Sequence, residues 1–186
     1  MTNVKIRRKD VLSEREIDDM ITKADKLPHE YFRLRAKAIS SIFRRTGKRR
    51  REVATLEMDD IMVKGKNLSI TFTVVKKRKK SVSSRRREKQ IPLSDKCAKY
   101  IMEYWSWMKK YHPECKYLFP RIHSVFGTGL AFYEDKHISG RHILRIIKQL
   151  NPNAWCHLFR ETVGAEAVKT DPPLIGVFKA MMRLDL

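Results

Sequence analysis

The sequence predicts an α+β fold that is mainly α-helical and contains a small antiparallel β-sheet. Over most of the chain, apolar residues recur at three- and four-residue steps, the spacing of a helix with one buried face. Residues 68–75 instead alternate apolar side chains with Ser or Thr, as a half-buried strand does. With 186 residues, the chain is long enough to bury the core of one domain.

Three helical segments are predicted before that strand. Ser13 and Glu16 form a capping box ahead of apolar residues at helical spacing, so a first helix is expected to begin near Ser13. A second is expected to begin around His29 and to continue until Gly47 interrupts it. Residues 52–60 then return to a helical composition.

A strongly basic connection follows the strand. Nine of the fourteen residues from 76 to 89 are Lys or Arg, and a short strand ending at residues 91–93 can pair with the strand at 68–75. Residues 76–89 are therefore expected to be the tip of a ribbon or a loop, whose charges can lie along the phosphates of a nucleic acid.

The second half of the chain is predicted to be helical again. Residues 117–137 contain Pro120, Gly127 and Gly129 and are expected to be mostly loop. Further helices are predicted on either side of this segment, from Ser94 to His112, from Ser139 to Leu150, over residues 158–168, and from Asp171 onward.

The charge of the chain indicates a polyanionic partner. Lys and Arg number 41 against 21 Asp and Glu, which gives a formal net charge of +20, and nucleic acid is the leading candidate. Because 42% of the residues are hydrophobic, the chain is too apolar to be a disordered basic tail. We expect a folded domain over residues 12–186, preceded by a basic extension at residues 1–11.

The sequence offers no pattern for a metal, a cofactor or a membrane. Cys97, Cys115 and Cys156 are widely spaced and lack CxxC or Cys/His ligand spacing, so buried thiols are expected instead of a zinc site or a disulfide framework. No apolar run approaches the roughly 20 residues that span a bilayer. A cytoplasmic or nucleoid-associated protein is expected.

The first candidate site is the segment Thr46-Gly47-Lys48-Arg49-Arg50-Arg51-Glu52-Val53. A Gly turn that leads into a helix start, surrounded by guanidinium groups, can bind phosphate through backbone N–H groups and bidentate donors. On composition alone, a solvated or non-specific DNA-contacting face is the commoner interpretation.

The second candidate site is the segment His157-Leu158-Phe159-Arg160. A His and an Arg three residues apart on a helix can reach one phosphate together, the first as a proton carrier and the second as a fixed positive charge. Taken alone, the pair is a weak signal, because a structural His is at least as common.

Together, the two segments resemble the catalytic domain of the tyrosine recombinases, the phage integrase family. In that family, Thr-Gly is followed two residues later by the first catalytic Arg and then by an acidic residue three positions on, which correspond to Arg49 and Glu52. The His-x-x-Arg motif, His157 and Arg160 here, follows after about 110 residues, in the family's order. The resemblance covers residues 12–186 and implies the recombinase fold.

The resemblance also places a catalytic Lys on the basic hairpin. Lys77 aligns best when counted from the end of the strand, and Lys76, Lys79 and Lys80 are close competitors. A DNA-backbone contact without a catalytic role is an equally good interpretation for any one of them. Contacts to DNA are expected from basic residues of the first candidate segment and of the basic hairpin, namely Arg50, Arg51, Lys76, Lys79, Lys80, Arg85, Arg86 and Arg87.

The implied activity is site-specific DNA recombination. In the family, strands are cleaved and rejoined through a 3′-phosphotyrosine, without metal or cofactor, on double-stranded DNA. The resemblance implies a homo-oligomer, a tetramer on DNA for the full-length protein, and a monomer is the alternative for this chain alone. All of the chain's tyrosines precede His157, and they are Tyr31, Tyr100, Tyr104, Tyr111, Tyr117 and Tyr133.

In the family, the nucleophilic Tyr follows a Leu-Gly-His-like element, to which Leu184-Asp185-Leu186 is the best match. The resemblance therefore places the nucleophile after Leu186. The chain alone is expected to be inactive. One alternative is a non-catalytic DNA-binding protein or regulator that retains the fold. A basic RNA-binding protein would explain the charge but not the two ordered motifs.

Overall fold

A computed structural model describes residues 11–78, 81–125 and 129–170. Most of the predicted extension at residues 1–11 and the predicted last helix from Asp171 lie outside these ranges, as does the Leu184-Asp185-Leu186 element. The α-helices of the described residues are α1 (Glu14–Asp25), α2 (Glu30–Thr46), α3 (Arg50–Ala54), α4 (Lys96–Tyr111), α5 (Gly140–Leu150) and α6 (Cys156–Thr170). The strands are β1 (Ile61–Lys64), β2 (Asn67–Arg78), β3 (Ser81–Pro92), β4 (Pro120–Val125) and β5 (Gly129–His137).

Two of the predicted helix starts, at Ser13 and Ser139, are confirmed by their caps. Ser13 precedes α1, and its hydroxyl accepts from the backbone N–H of Glu16 at 3.3 Å. The Glu16 carboxylate accepts in return from the backbone N–H of Ser13 at 2.9 Å. Ser139 caps α5 in the same way, accepting from the N–H of His142 at 3.1 Å. These bonds satisfy N–H groups that a helix start leaves without intrahelical partners.

The basic hairpin is longer than predicted. An unbroken antiparallel register joins β2 to β3 from Asn67 opposite Pro92 to Arg78 opposite Ser81. Most of residues 76–89, expected as a tip or loop, are therefore paired strand. Backbone hydrogen bonds between strands do not depend on side-chain polarity, so the ribbon continues after apolar alternation ends. The short edge strand β1, which pairs with β2, was not predicted.

The prediction of a loop over residues 117–137 was wrong, because β4 and β5 form a second antiparallel hairpin there. Two of the residues interpreted as loop signals stand at strand ends, since Pro120 begins β4 and Gly129 begins β5 with a φ of 100°. The third, Gly127, lies outside the described residues. Tertiary contacts hold the hairpin to the helices. The ring of Phe132 stacks on His112 at 3.7 Å and meets Tyr31 edge-on at 4.9 Å.

Helix α2 lies at the centre of the molecule and packs against α1, α4 and α6. Its residues Ile39, Ile42 and Phe43 are completely buried, and burial of each such side chain stabilises the fold by about 1.5–3 kcal/mol. The buried guanidinium of Arg44, also on α2, forms ion pairs with Glu14 of α1 and Glu166 of α6. Both apolar and ionic contacts therefore fix α6 relative to the end of α2.

Among the residues that the structure describes, no helix combines the length and the apolar composition needed to cross a lipid bilayer.

Candidate functional site

The two sequence motifs meet at one cavity of about 440 Å³. The turn between α2 and α3, the start of α3, the start of α6 with the residue before it, and one residue of α5 line this cavity. The lining side chains are those of Lys48, Arg49, Arg50, Arg51, Leu144, Trp155, Cys156, His157 and Arg160. The fold therefore brings together Arg49, His157 and Arg160, and it adds the predicted DNA contacts Arg50 and Arg51.

Arg49 is held at the start of α3 by the carboxylate of Glu52. The backbone N–H of Arg49 donates to Glu52 Oε2 at 3.0 Å, in the arrangement that caps a helix start. Glu52 is buried, with 8% of its surface exposed. The acidic residue of the motif thus fixes the backbone from which Arg49 projects, and its supporting role in catalysis stays a prediction.

Gly47 joins the two motifs directly. It ends α2 with a φ of 56°, in the left-handed region, and its N–H donates to the carbonyl of Phe43 at 3.0 Å. A Cβ atom at this position would lie 3.4 Å from the Cα of Arg160 and 3.4 Å from the Cβ of Val163. Glycine therefore permits the turn, and a Cβ atom here would lie in van der Waals contact with α6.

We expect Gly47→Val to destabilise the protein by roughly 1–3 kcal/mol more than Gly65→Val, because added γ-methyl groups would overpack against α6. Gly65 is a matched control, since its φ is 57° and nothing lies within 4 Å of an added Cβ. Denaturant unfolding of the two variants measures the difference. Equal losses would show that only the backbone conformation requires glycine at position 47.

One face of α6 packs into the core, and another lines the cavity. Leu158 and Phe159 are buried, and the Phe159 ring lies 5.8 Å from that of Phe43 on α2. His157 and Arg160 line the cavity. The His157 side chain is 57% exposed, with Nε2 3.4 Å from Glu161 Oε1. This exposure is unlike that of a His used to fill a core.

The three predicted DNA-contacting arginines of β3 are divided between the two faces of the ribbon. Arg85 and Arg87 stand opposite Val74 and Phe72, both buried on β2. Directly opposed residues share a face of an antiparallel sheet, so Arg85 and Arg87 are on the face that meets the core. Arg86 is on the other face, where it forms an ion pair with the buried carboxylate of Asp60.

The catalytic Lys remains a prediction. Lys76 and Lys77 belong to β2, where Lys77 pairs with Val82, and the structure describes only their backbone. Lys79 and Lys80 lie outside the described residues.

Sequence analysis assigned no role to Lys48 or Lys89, which the structure places near the site. Lys48 is buried, with its ammonium 5.0 Å from the centre of the Phe72 ring. Burial lowers the pKa of Lys48, and the positive charges of Lys89, Arg87 and Arg160 lower it further against the opposing effect of Glu52. Side chains alternate between the two faces of β3, so the sequence could have placed Lys89 on the same face as Arg85 and Arg87. Nothing in the sequence distinguished Lys48 from its basic neighbours.

The lining residues include a thiol but no tyrosine. Burial raises the pKa of the Cys156 thiol to about 11, so it is protonated at neutral pH and a poor nucleophile. All three cysteines are buried and free. Within the described ranges, no group of three or more His, Cys, Asp or Glu side chains could hold a metal ion.

Comparisons with known proteins agree with the motifs. The profile of the Phage integrase family matches residues 10–172. Two solved structures share the fold with a TM-score of 0.63 each, the XerH site-specific recombinase bound to difH substrate in a pre-cleavage complex and bound to palindromic difH substrate in a post-cleavage complex. They are 16% and 15% identical to this chain.

The match covers 91% and 92% of this chain but 45% of each XerH chain, so the chain spans less than half the length of these relatives. None of the curated proteins searched matches the sequence significantly. Because the family profile covers most of the chain, and the described fold is that of a recombinase catalytic domain, the chain belongs to the phage integrase family of tyrosine recombinases.

Proposed function

We propose that this domain binds duplex DNA and that its cavity holds a scissile phosphodiester for metal-independent strand cleavage and rejoining. One observation carries the proposal: two motifs about 110 residues apart place Arg49, His157 and Arg160 around the same cavity. Two guanidinium groups and an imidazole are suited to a phosphate whose negative charge grows during reaction.

In the proposed reaction, a tyrosine oxygen forms a bond to phosphorus at the 3′ side of the break while the bond to the 5′-oxygen breaks. Arg49 and Arg160 offset the charge on the non-bridging oxygens, the part that a metal ion plays elsewhere. His157 takes part in removing the tyrosine proton, and a hairpin lysine, with Lys77 the best candidate, protonates the departing 5′-oxygen. The reverse steps rejoin the strands.

The nucleophile is proposed to come from polypeptide outside this sequence. Every tyrosine of the chain falls within the described residues, and none lines the cavity. A continuation of the chain or a neighbouring subunit of a homo-oligomer would have to supply the hydroxyl. The same observation favours the second candidate, a DNA-binding protein that keeps the fold without cleaving.

Binding is tested with the chain itself on a fluorescent duplex over a series of salt concentrations. We expect the logarithm of the association constant to fall linearly with the logarithm of salt concentration, because phosphate contacts release counterions. Arg87→Glu, on the core-facing side of β3, is expected to weaken binding by about tenfold or more.

Lys99→Glu is the matched control, because it changes the net charge equally at an exposed position on α4, which contributes nothing to the cavity. It is expected to weaken binding no more than about threefold. Equal losses for the two variants would point to a diffuse charge effect, and equal affinity for structured RNA would contradict the choice of duplex DNA. Strand cleavage by the protein from its complete reading frame then separates the recombinase from the non-catalytic candidate.

A further inference from the structure

A buried lysine lies inside the proposed phosphodiester site without an assigned role. Lys48 lines the cavity beside Arg49, yet only 9% of its surface is exposed. Its position in the chain, between Gly47 and Arg49, means that the same turn that brings the first motif to α6 also fixes Lys48.

The surroundings of Lys48 are those of an anion site. Its strongest electrostatic neighbours are the carboxylate of Glu52 and three cations, Lys89 and Arg87 of β3 and Arg160 of α6. The centre of the Phe72 ring lies 5.0 Å from the Lys48 ammonium, and this cation–π contact offsets part of the cost of burying the charge. A buried charge among like charges is unfavourable, and a residue such as Met would fill the same space without that cost. Glu52 offsets part of this cost, but three cations act on Lys48 against that one carboxylate. A bound anion would therefore add a favourable partner for the ammonium.

We propose that Lys48 binds a non-bridging oxygen of the same phosphodiester as Arg49 and Arg160, and that DNA binding is therefore coupled to proton uptake at alkaline pH. The inference rests on the proposed function. Lys48 is thus a phosphate-binding residue on the α2–α3 turn, separate from the hairpin lysines to which the family resemblance assigns the leaving oxygen.

The sign of the coupling follows from the charges around Lys48. Burial and nearby cations lower the pKa of Lys48 in the free protein, and a bound phosphate would favour the charged form and raise it. DNA then binds more tightly to the protonated protein, so affinity falls as pH rises through the lowered pKa. The charged groups that act on Lys48 are Glu52 of α3, Arg87 and Lys89 of β3 and Arg160 of α6, and His157 lines the same cavity. Lys89 requires its own control.

The experiment measures duplex affinity of the full chain from about pH 7.5 to about pH 10. The wild-type protein and Lys89→Met are expected to lose affinity with rising pH. Lys48→Met is expected to bind about tenfold more weakly at the lower pH, with a salt slope reduced by about one, and to change less with pH. Lys48→Arg, which keeps its charge, is expected to retain affinity for the duplex. Like Lys48→Met, it is expected to show a weaker dependence of affinity on pH than the wild-type protein. Lys66→Met, at an exposed site in the β1–β2 turn, is the surface control.

A second measurement does not depend on any variant folding. The chemical shift of the methylene next to the Lys48 ammonium, followed by NMR against pH, is expected to show a higher pKa with duplex bound than without it. Unchanged affinity and pH profile in Lys48→Met, or an unchanged Lys48 titration on binding, would overturn the inference while leaving DNA binding intact. A folded wild-type chain that binds no duplex at any pH would overturn the proposed function and this inference with it.

Discussion

Arg160→Ala is expected to reduce strand cleavage by the protein from its complete reading frame by about a hundredfold to a thousandfold, the scale of losing a preorganised donor to a developing charge. Duplex affinity is expected to fall no more than about tenfold, as for one lost phosphate contact. The difference arises because the transition state places more negative charge on the non-bridging oxygens than the bound substrate does, so the guanidinium of Arg160 contributes more there.

Arg51→Ala provides the matched comparison, because Arg51 lines the same cavity but is predicted only to contact DNA. It is expected to lower affinity and cleavage in parallel, by about tenfold at most. Arg160→Lys tests geometry, since an ammonium keeps the charge but loses the planar pair of donors. Parallel loss of binding and cleavage in Arg160→Ala would show that Arg160 is a DNA contact or a fold element.

The helices were predictable because their determinants are local. Ser13, Ser139 and Gly47 mark helix ends by their own side-chain chemistry or backbone freedom, and the structure uses each of them in that way. The hairpin of β4 and β5 was not predictable, because its stability comes from partners distant in sequence. Phe132 contacts Tyr31, about 100 residues earlier in the chain.

Part of the site could be predicted from the sequence, because the spacing of residues on one helix determines their relative positions. The spacing of His157 and Arg160 on a helix could be derived from the sequence, whereas Arg49 and Glu52 were assigned by the family resemblance. The surroundings of Lys48 could not be derived from the sequence, because its contact with Phe72 and the nearby charges of Arg87 and Lys89 depend on how the ribbon packs against the α2–α3 turn. The pairing of Arg86 with Asp60 likewise depends on the register of β3, which a basic composition does not determine.

The helix that carries His157 and Arg160 also provides a test of which of its residues stabilise the fold. Phe159→Ala is expected to lower the free energy of unfolding by about 3–5 kcal/mol, the cost of deleting a large buried aromatic side chain and leaving a cavity. Phe159 is completely buried, with its ring 5.8 Å from that of Phe43. Denaturant unfolding measures this loss, and an unchanged m-value would show that the unfolded state is unaffected.

His157→Ala, two residues earlier, is expected to change stability by no more than about 0.5 kcal/mol, as for other exposed positions. Its imidazole is 57% exposed and contacts Glu161 at 3.4 Å on the same helix, so the fold loses little when it is removed. The proposed proton-transfer role, however, predicts a cleavage loss of roughly a hundredfold or more. A stability loss approaching that of Phe159→Ala would make His157 a structural residue, and the two motifs would then share a phosphate-binding cavity without the imidazole that the reaction requires.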